Sequence, residues 1–213
     1  MLEPFVDPAW LRAHRDEVVL VDVRFYLDGR SGRESYERGH LPGAVYCELE
    51  DVLSEPGVDA AAAGRHPLPT PGRFASGLSA LGIGDEDPVI AYDDAGGVIA
   101  ARLIWMLRAI GHDAALLDGG LGTWPEADLH SDSPRPRPPA TFTAKPWPEQ
   151  LLVTIEDVAA TEDVLIDARD RARFGGGQDP VDPRSGHIPG ARNVPTREHL
   201  DSQGQIASQA ELR

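Results

Sequence analysis

The sequence contains little cysteine and few basic residues. Cys47 is the only cysteine among 213 residues, which excludes an intramolecular disulfide and a metal site built from several cysteines. A lone thiol suits a reducing compartment. Lysine and arginine together number 20 against 35 aspartates and glutamates, giving a net charge of −15. That charge argues against nucleic acid and anionic membrane surfaces as partners.

Long apolar runs are also missing. No stretch approaches the roughly 18 consecutive apolar residues that a membrane span needs. The first ten residues, MLEPFVDPAW, lack the basic-then-apolar order of a signal peptide. We therefore expect no membrane segment and a cytoplasmic location. Apolar residues still make up 41% of the chain, which is enough to fill a core.

Two short motifs occur twice, in the same order. Residues 20–24 read LVDVR and residues 39–44 read GHLPGA, while residues 165–169 read LIDAR and residues 186–191 read GHIPGA. Such matched islands indicate an internal duplication. The first copy continues well beyond its second motif, whereas the second copy has only 22 residues after Ala191. The sequence therefore predicts one complete domain and the first half of a second copy.

Short apolar runs alternate with helical patterns along the first copy. Strands are predicted at residues 18–21, 44–49, 89–92 and 114–117, with helices beginning near Pro8, at 34–38 and at 98–110. In the second copy, Thr154 is predicted to cap a helix, 164–167 to form a strand, and Arg173-Phe174 to lie in a loop. Strands that alternate with helices indicate an α/β fold with a parallel sheet.

Six prolines fall within residues 131–148, which predicts an extended, fairly stiff linker. The predicted organisation is a first domain at 1–130, this linker, and a partial domain at 149–213. An incomplete second sheet would leave an apolar face open, so we expect 1–130 to fold alone and 150–213 not to. If the chain is natural as it stands, a partner or a swapped dimer is expected to cover residues 151–213.

The motifs together resemble the tandem-domain rhodanese family, the thiosulfate and 3-mercaptopyruvate sulfurtransferases. In the first copy the resemblance rests on LVDVR, GHLPGA, GRHPLP at 64–69, the AYDDAGG-to-RAIGH segment and LDGGLGTW at 117–124. In the second copy it rests on LIDARDRARF and GHIPGARNVP. The resemblance implies a rhodanese-like parallel sheet flanked by helices, with one complete domain and part of a second.

The resemblance also implies a reaction and its substrates. Sulfane sulfur would move from a small anionic donor, thiosulfate or 3-mercaptopyruvate, to cyanide or a thiol through a cysteine persulfide. We expect no cofactor and no metal. The family carries its nucleophile in the C-terminal domain, on the loop after the central strand, and that loop would lie beyond Arg213. The chain alone is therefore predicted to be inactive, truncated before its catalytic cysteine.

In the first copy, Asp93 occupies the position of the cysteine. The carboxylate could cap the following helix or, together with Asp94, hold a cation. Parallel strands place ligand sites at their carboxyl ends, and residues 22–24, 93–97 and 167–169 all fall at such ends of predicted strands.

Four other residues remain candidates. Arg173 aligns with a family arginine that faces the anionic donor, although it could be an ordinary surface arginine. The second donor arginine typical of the mercaptopyruvate type has no direct counterpart; Arg184 lies in the right stretch, but residues 175–185 differ in length from the family. His40 and His187 precede the two Pro-Gly turns, where they could act in acid–base chemistry or fix the turn by a hydrogen bond.

Cys47 could replace the missing nucleophile, but burial and its acidic neighbours would suppress the thiolate and favour a core position. The alternative to an enzyme is a non-catalytic binding or regulatory module. A phosphatase on the same sheet is excluded, because no Cys-x5-Arg loop is present.

Overall fold

A computed structural model describes residues 1–58, 64–131, 137–177, 185–208 and 210–212. The chain divides into two compact units, Met1–Pro148 and Glu149–Arg213. Five parallel strands form the sheet of the first unit in the order β1-β5-β4-β2-β3. Their bounds are β1 Phe5–Val6, β2 Val19–Asp22, β3 Val45–Tyr46, β4 Val89–Tyr92 and β5 Ala114–Leu117.

Helices cover both faces of this sheet. They are α1 Pro8–Ala13, α2 Gly32–Arg38, α3 Leu49–Val52, α4 Pro71–Ala80 and α5 Ala100–Ala109. Successive residues of a strand point to opposite faces, so Val19 and Val21 join one apolar cluster with α4 and α5, while Val18 and Leu20 join the other. Both faces are therefore buried, which explains why the strands are continuous apolar runs.

Two predicted boundaries in the first unit need correction. The strand predicted at 44–49 covers only Val45–Tyr46, and Leu49 begins helix α3 instead. β3 is an edge strand with one neighbour, and Glu50 and Asp51 lie in the first turn of α3, where carboxylates are favourable. Strand β1 and helices α3 and α4 were not predicted from the sequence.

The proline-rich segment belongs to the first unit as far as the structure describes it. Phe142 is only 6% exposed within the core, and the Trp147 indole N–H donates to Pro69 O at 2.8 Å. Thr143 also bonds to the Asp85 carboxylate through its backbone N–H and its hydroxyl. The prolines at 134 and 136 lie outside the described residues. Residues 137–148 are thus extended and packed against the domain.

The second unit has a two-stranded parallel sheet, β6 Ile166–Asp167 and β7 Arg192–Asn193, with helices α6 Ile155–Ala160 and α7 Arg171–Phe174. The predicted Thr154 cap is confirmed, since Thr154 and Asp157 bond reciprocally. The loop prediction for Arg173-Phe174 is wrong, because the Asp170 side chain accepts from Arg173 N and caps a short helix. The predicted strand at 164–167 is limited to its last two residues.

Apolar side chains of the second unit are exposed. Ile155, Val164 and Ile166 are 81%, 61% and 63% exposed, and Pro195 is the only buried residue in the described part of this unit. The matched strand of the first unit, β2, is fully enclosed because it lies between β3 and β4. Among the residues that the structure describes, β6 pairs with β7 alone.

Candidate functional site

A buried ion pair holds the carboxyl end of β2. The Arg24 guanidinium donates to the Asp22 carboxylate through Nε and Nη2, at 2.8 Å for the shortest bond, and Arg24 Nη2 also donates to Gly39 O at 2.7 Å. Burial raises the pKa of Asp22, and the bonds and charge of Arg24 oppose that shift. The pair therefore fixes the strand end against the turn that begins at Gly39.

The same arrangement occurs in the second unit. Arg169 donates to both oxygens of Asp167 and to Gly186 O at 2.6 Å. The hydrogen bonds from Arg169 lower the pKa of Asp167, whose side chain is only partly buried. The Asp-x-Arg triplet thus joins strand and turn in both units. Because the triplet occurs in both copies of the sequence, its repetition could have predicted this structural role.

The two histidines occupy equivalent structural positions. His40 Nδ1 is 2.8 Å from Tyr36 O, and its ring stacks on Tyr36 with 4.0 Å between centroids. His187 Nδ1 is 2.7 Å from Phe174 O, with a ring stack of 3.7 Å. An identical bond and stack in both units favour the turn-fixing role over acid–base chemistry.

A cradle of backbone N–H groups surrounds Asp93, just after β4. Asp93 Oδ1 accepts from Ala95 N and Gly97 N, both at 2.8 Å, and Oδ2 accepts from Ile99 N and Ala100 N at 2.8 and 2.9 Å. The carboxylate is 1% exposed and lies at the start of α5, where backbone N–H groups point outward. Four donors around two oxygens form an anion site that the chain's own side chain fills, which favours the helix-capping role of Asp93 over a cation site.

Two glycines allow this loop to pack closely. A Cβ at Gly97 would lie 2.5 Å from Leu116 Cδ2, and one at Gly120 would lie 2.4 Å from Asp93 O. Both have positive φ, and Leu121 N donates to Asp93 O at 2.9 Å. The Gly119-Gly120 turn after β5 therefore supports the cradle from the neighbouring strand.

A cavity of about 470 Å³ opens beside the cradle. Arg24, Arg38, Tyr26 and Asp94 contribute to its lining. The Tyr26 hydroxyl donates to Asp94 Oδ2 at 2.6 Å. Burial, followed by this hydrogen bond, raises the pKa of Tyr26. The carboxyl ends of β2 and β4 meet here as predicted, since Asp22 pairs with Tyr92.

The remaining candidates are Cys47, Arg173 and Arg184. Cys47 is fully buried, and burial, followed by the charge of Glu48, raises its pKa, so the thiol is a core residue. Arg173 lies in α7 of the second unit, partly exposed. Arg184 lies outside the described residues.

In the described part of the chain, no helix is long and apolar enough to cross a bilayer. Nor do three or more His, Cys, Asp or Glu side chains among those residues come together in a group that could hold a metal ion.

The parallel sheet, its flanking helices and the N–H cradle define an α/β protein with an anion-holding loop after a central strand. A family model described as Rhodanese-like domain matches residues 7–127. The chain belongs to the rhodanese-like family, and the predicted fold class is confirmed.

Two relatives extend the match over most of the chain. The "Probable 3-mercaptopyruvate sulfurtransferase" of Pseudomonas aeruginosa is 36% identical over 208 residues, covering 94% of this chain and 73% of its own length. The thiosulfate/3-mercaptopyruvate sulfurtransferase 2 of Arabidopsis thaliana is 32% identical over 247 residues, covering 99% and 70%. Both are sulfurtransferases by name.

Solved structures show the same fold. The crystal structure of SseA from Escherichia coli, a study of 3-mercaptopyruvate sulfotransferases, superimposes with a TM-score of 0.83 at 33% identity and covers 99% of this chain and 81% of that one. The 3-mercaptopyruvate sulfurtransferase of Leishmania major gives 0.80 at 30% identity. This chain spans 59% of the Leishmania protein.

Proposed function

We propose that this chain serves a cytoplasmic sulfurtransferase that moves sulfane sulfur from thiosulfate or 3-mercaptopyruvate to cyanide or a thiol. The observation that supports the proposal most directly is the cradle at Asp93, where four backbone N–H groups converge on one anionic side chain. A thiolate or persulfide in an equivalent loop would receive the same stabilisation. The sulfurtransferase names of the relatives agree with that chemistry.

The proposed reaction is covalent. A cysteine thiolate attacks the outer sulfur of the donor, the bond from that sulfur to the rest of the donor breaks, and sulfite or pyruvate leaves. Pyruvate leaves as its enolate and takes up a proton. Cyanide or a thiolate then attacks the outer sulfur of the persulfide and restores the cysteine thiolate. The nucleophile in this proposal lies beyond Arg213, in the loop of a second domain copy that corresponds to residues 93–97.

Arg173 is proposed to bind the anionic donor, because a guanidinium can pair with a sulfonate or carboxylate through two parallel hydrogen bonds. Its helix is fixed by the Asp170 cap and by the stack of Phe174 on His187. Arg173→Ala in an active protein should therefore raise KM for the donor more than it lowers the rate with the acceptor. An unchanged KM would leave Arg173 as a surface residue.

A second proposal is a non-catalytic binding or regulatory module. It is favoured by the first unit, where a carboxylate fills the cradle, and by Cys47, whose thiol is inaccessible. In that case a protein partner or a second copy would cover the exposed apolar residues of 151–213, including Ile155, Val164 and Ile166.

Two measurements separate these proposals. The 213-residue protein, incubated with thiosulfate and cyanide or with 3-mercaptopyruvate and a thiol, should form no thiocyanate, pyruvate or hydrogen sulfide. The protein from its natural source should show an intact mass of about 30 kDa and full activity, the size of two complete domains. A natural mass near 23.0 kDa without activity would favour the binding module, and activity of the 213-residue protein would contradict the proposed position of the nucleophile.

Asp93→Cys tests whether the cradle can hold a thiolate. The N–H donors and the start of α5 should bring the pKa of the new thiol below the ordinary value of about 8.5. The rate of iodoacetamide alkylation against pH measures this pKa, and Cys47 is an internal control because burial raises its pKa. An ordinary pKa at position 93 would count against the cradle as a model for the proposed nucleophile loop.

A further inference from the structure

A second cavity lies at the amino ends of the strands, the edge of the sheet opposite the Asp93 cradle. It measures about 390 Å³ and is lined by Arg15, Arg137 and Asp16 around an apolar floor that includes Leu20. Arg15 belongs to the 3₁₀ turn Arg15–Glu17 just before β2, and Arg137 lies more than 100 residues later. Tertiary folding therefore brings two guanidiniums to one cavity in a protein with a net charge of −15.

Backbone carbonyls hold these guanidiniums in place. Arg15 Nη2 donates to Pro42 O, and Arg137 Nε donates to Gly82 O at 3.0 Å. The nearest carboxylate oxygen recorded for Arg137 belongs to Asp87, at 3.9 Å, which is beyond hydrogen-bonding distance. Because a guanidinium has five N–H donors, a bond to one carbonyl leaves donors for a ligand and does not neutralise the charge.

The electrostatics of the cavity favour an anion. Burial lowers the pKa of Arg15, Asp16 and then Tyr92 oppose that shift, and the charge of Arg137 makes the smallest contribution, in the same direction as burial. The lining residues carry two guanidinium charges against the one carboxylate of Asp16, and the Asp87 carboxylate lies 3.9 Å from Arg137 without lining the cavity. A bound divalent anion would relieve the repulsion between the guanidiniums and bond to both.

The internal repeat shows that the Pro-Gly turn does not need an arginine like Arg15. Arg15 lies between helix α1 and strand β2, and the matching stretch between helix α6 and strand β6 reads TEDVL at 161–165, with no arginine. The Pro-Gly turn forms in both units nevertheless, with Ala44 N donating to Leu41 O and Ala191 N to Ile188 O, both at 3.0 Å. Holding this turn is thus not a sufficient reason for an arginine at position 15.

We propose that this cavity binds a small divalent oxyanion between the guanidiniums of Arg15 and Arg137. The ligand is of the sulfate, thiosulfate or phosphate class. The site does not depend on the sulfurtransferase proposal, because it uses neither the cradle nor a cysteine.

Calorimetric titration of the 213-residue protein with sodium sulfate, thiosulfate and phosphate, against chloride at equal ionic strength, tests this site. We expect saturable binding of at least one divalent anion. Arg15→Gln, which keeps a donor for Pro42 O, and Arg137→Gln should each weaken binding at least tenfold. Arg12→Gln is the matched control, since Arg12 stacks on Trp124 outside the cavity and should change binding less than twofold.

The pattern of binding identifies the source of the ligand. Binding of sulfate and thiosulfate but not phosphate would support a sulfur-oxyanion site, and equal binding of phosphate would support a general oxyanion site. The absence of binding by the native protein, or equal binding by native protein and both cavity variants, would overturn the proposal. Circular dichroism shows whether each variant is folded. Because the Arg137 side chain is partly exposed, Arg137→Gln should disturb the fold less than Arg15→Gln.

Discussion

Asp93 shows how one side chain can keep a loop in an anion-binding conformation without a ligand. Its two oxygens accept four backbone N–H groups within seven residues, so the loop and the start of α5 depend on a single carboxylate. The adjacent Asp94 is exposed and accepts one hydrogen bond, from Tyr26. Asp93 is therefore expected to contribute much more to the stability of the fold than Asp94.

Asp93→Ala should destabilise the protein by about 3 kcal/mol or more, because an unsatisfied buried donor costs about 1–3 kcal/mol. Asp94→Ala is the matched control and should cost less than about 1 kcal/mol. Urea unfolding followed by circular dichroism measures both free energies. Equal effects of the two substitutions would show that the N–H cradle does not contribute to stability.

His112 predicts a pH dependence of stability. The residue is 5% exposed, its Nε2 is 2.8 Å from Asp87 O, and burial lowers its pKa from the ordinary value of 6.5. Between the folded pKa and 6.5 the unfolded chain binds more protons, so the free energy of unfolding should fall as pH falls below about 6.5. His66, which is partly exposed, shifts in the same direction.

Urea unfolding at pH 7.5, 6.5 and 5.5 measures this dependence. His112→Gln removes the titrating group and should reduce the slope between pH 6.5 and 5.5, whereas the remaining slope reports His66 and other groups. An unchanged slope in the variant would show that groups other than His112 cause the pH dependence.

At the scale of secondary-structure elements, the turn after β5 supports the loop after β4. Gly120 has φ of +54°, and a Cβ there would lie 2.4 Å from the carbonyl oxygen of Asp93. Gly111, which ends the α5 region, has a similar positive φ of +77° but open space around it. Alanine substitutions at Gly111 and Gly120 therefore separate the cost of a left-handed backbone from the cost of a steric clash.

Gly111→Ala should lower the free energy of unfolding by about 1–2 kcal/mol, because a residue with a Cβ is strained in the left-handed conformation. Gly120→Ala should cost clearly more, because the methyl group must also push back a backbone carbonyl. Thermal unfolding of both variants compares the two effects. Equal destabilisation by the two substitutions would show that the close approach of the two loops does not make Gly120 harder to replace than Gly111.

At the scale of the whole molecule, the folding unit extends beyond the predicted end of the first domain. Phe142 and Trp147 pack against the core of the first unit, and residues 137–148 follow its surface. We therefore expect the fragment 1–148 to have a higher free energy of unfolding than the fragment 1–130. Burial of the Phe142 side chain alone should contribute about 1.5–3 kcal/mol to that difference. Comparison of the two fragments by urea unfolding, with Phe142→Ala in 1–148 as the control, measures it.

Equal stability of the two fragments would show that the segment merely lies on the surface. In the 213-residue protein, limited proteolysis should cleave first within 149–213, where Pro195 is the only buried residue among those described and few apolar contacts oppose local opening. Protection of that unit would contradict the expectation that it does not fold alone.

The sequence by itself determined the α/β class, the strands at β2, β4 and β5, the capped helices α1 and α6, and the duplicated Asp-x-Arg and Pro-Gly motifs. These features depend on local periodicity, capping and turn chemistry, which neighbouring residues decide. Only the tertiary structure decided that Asp93 accepts four N–H groups, that Leu49 begins a helix, that Phe142 enters the core and that Arg15 meets Arg137. Each of these depends on partners or strand positions set by the folded chain, and no local pattern encodes which distant groups will meet.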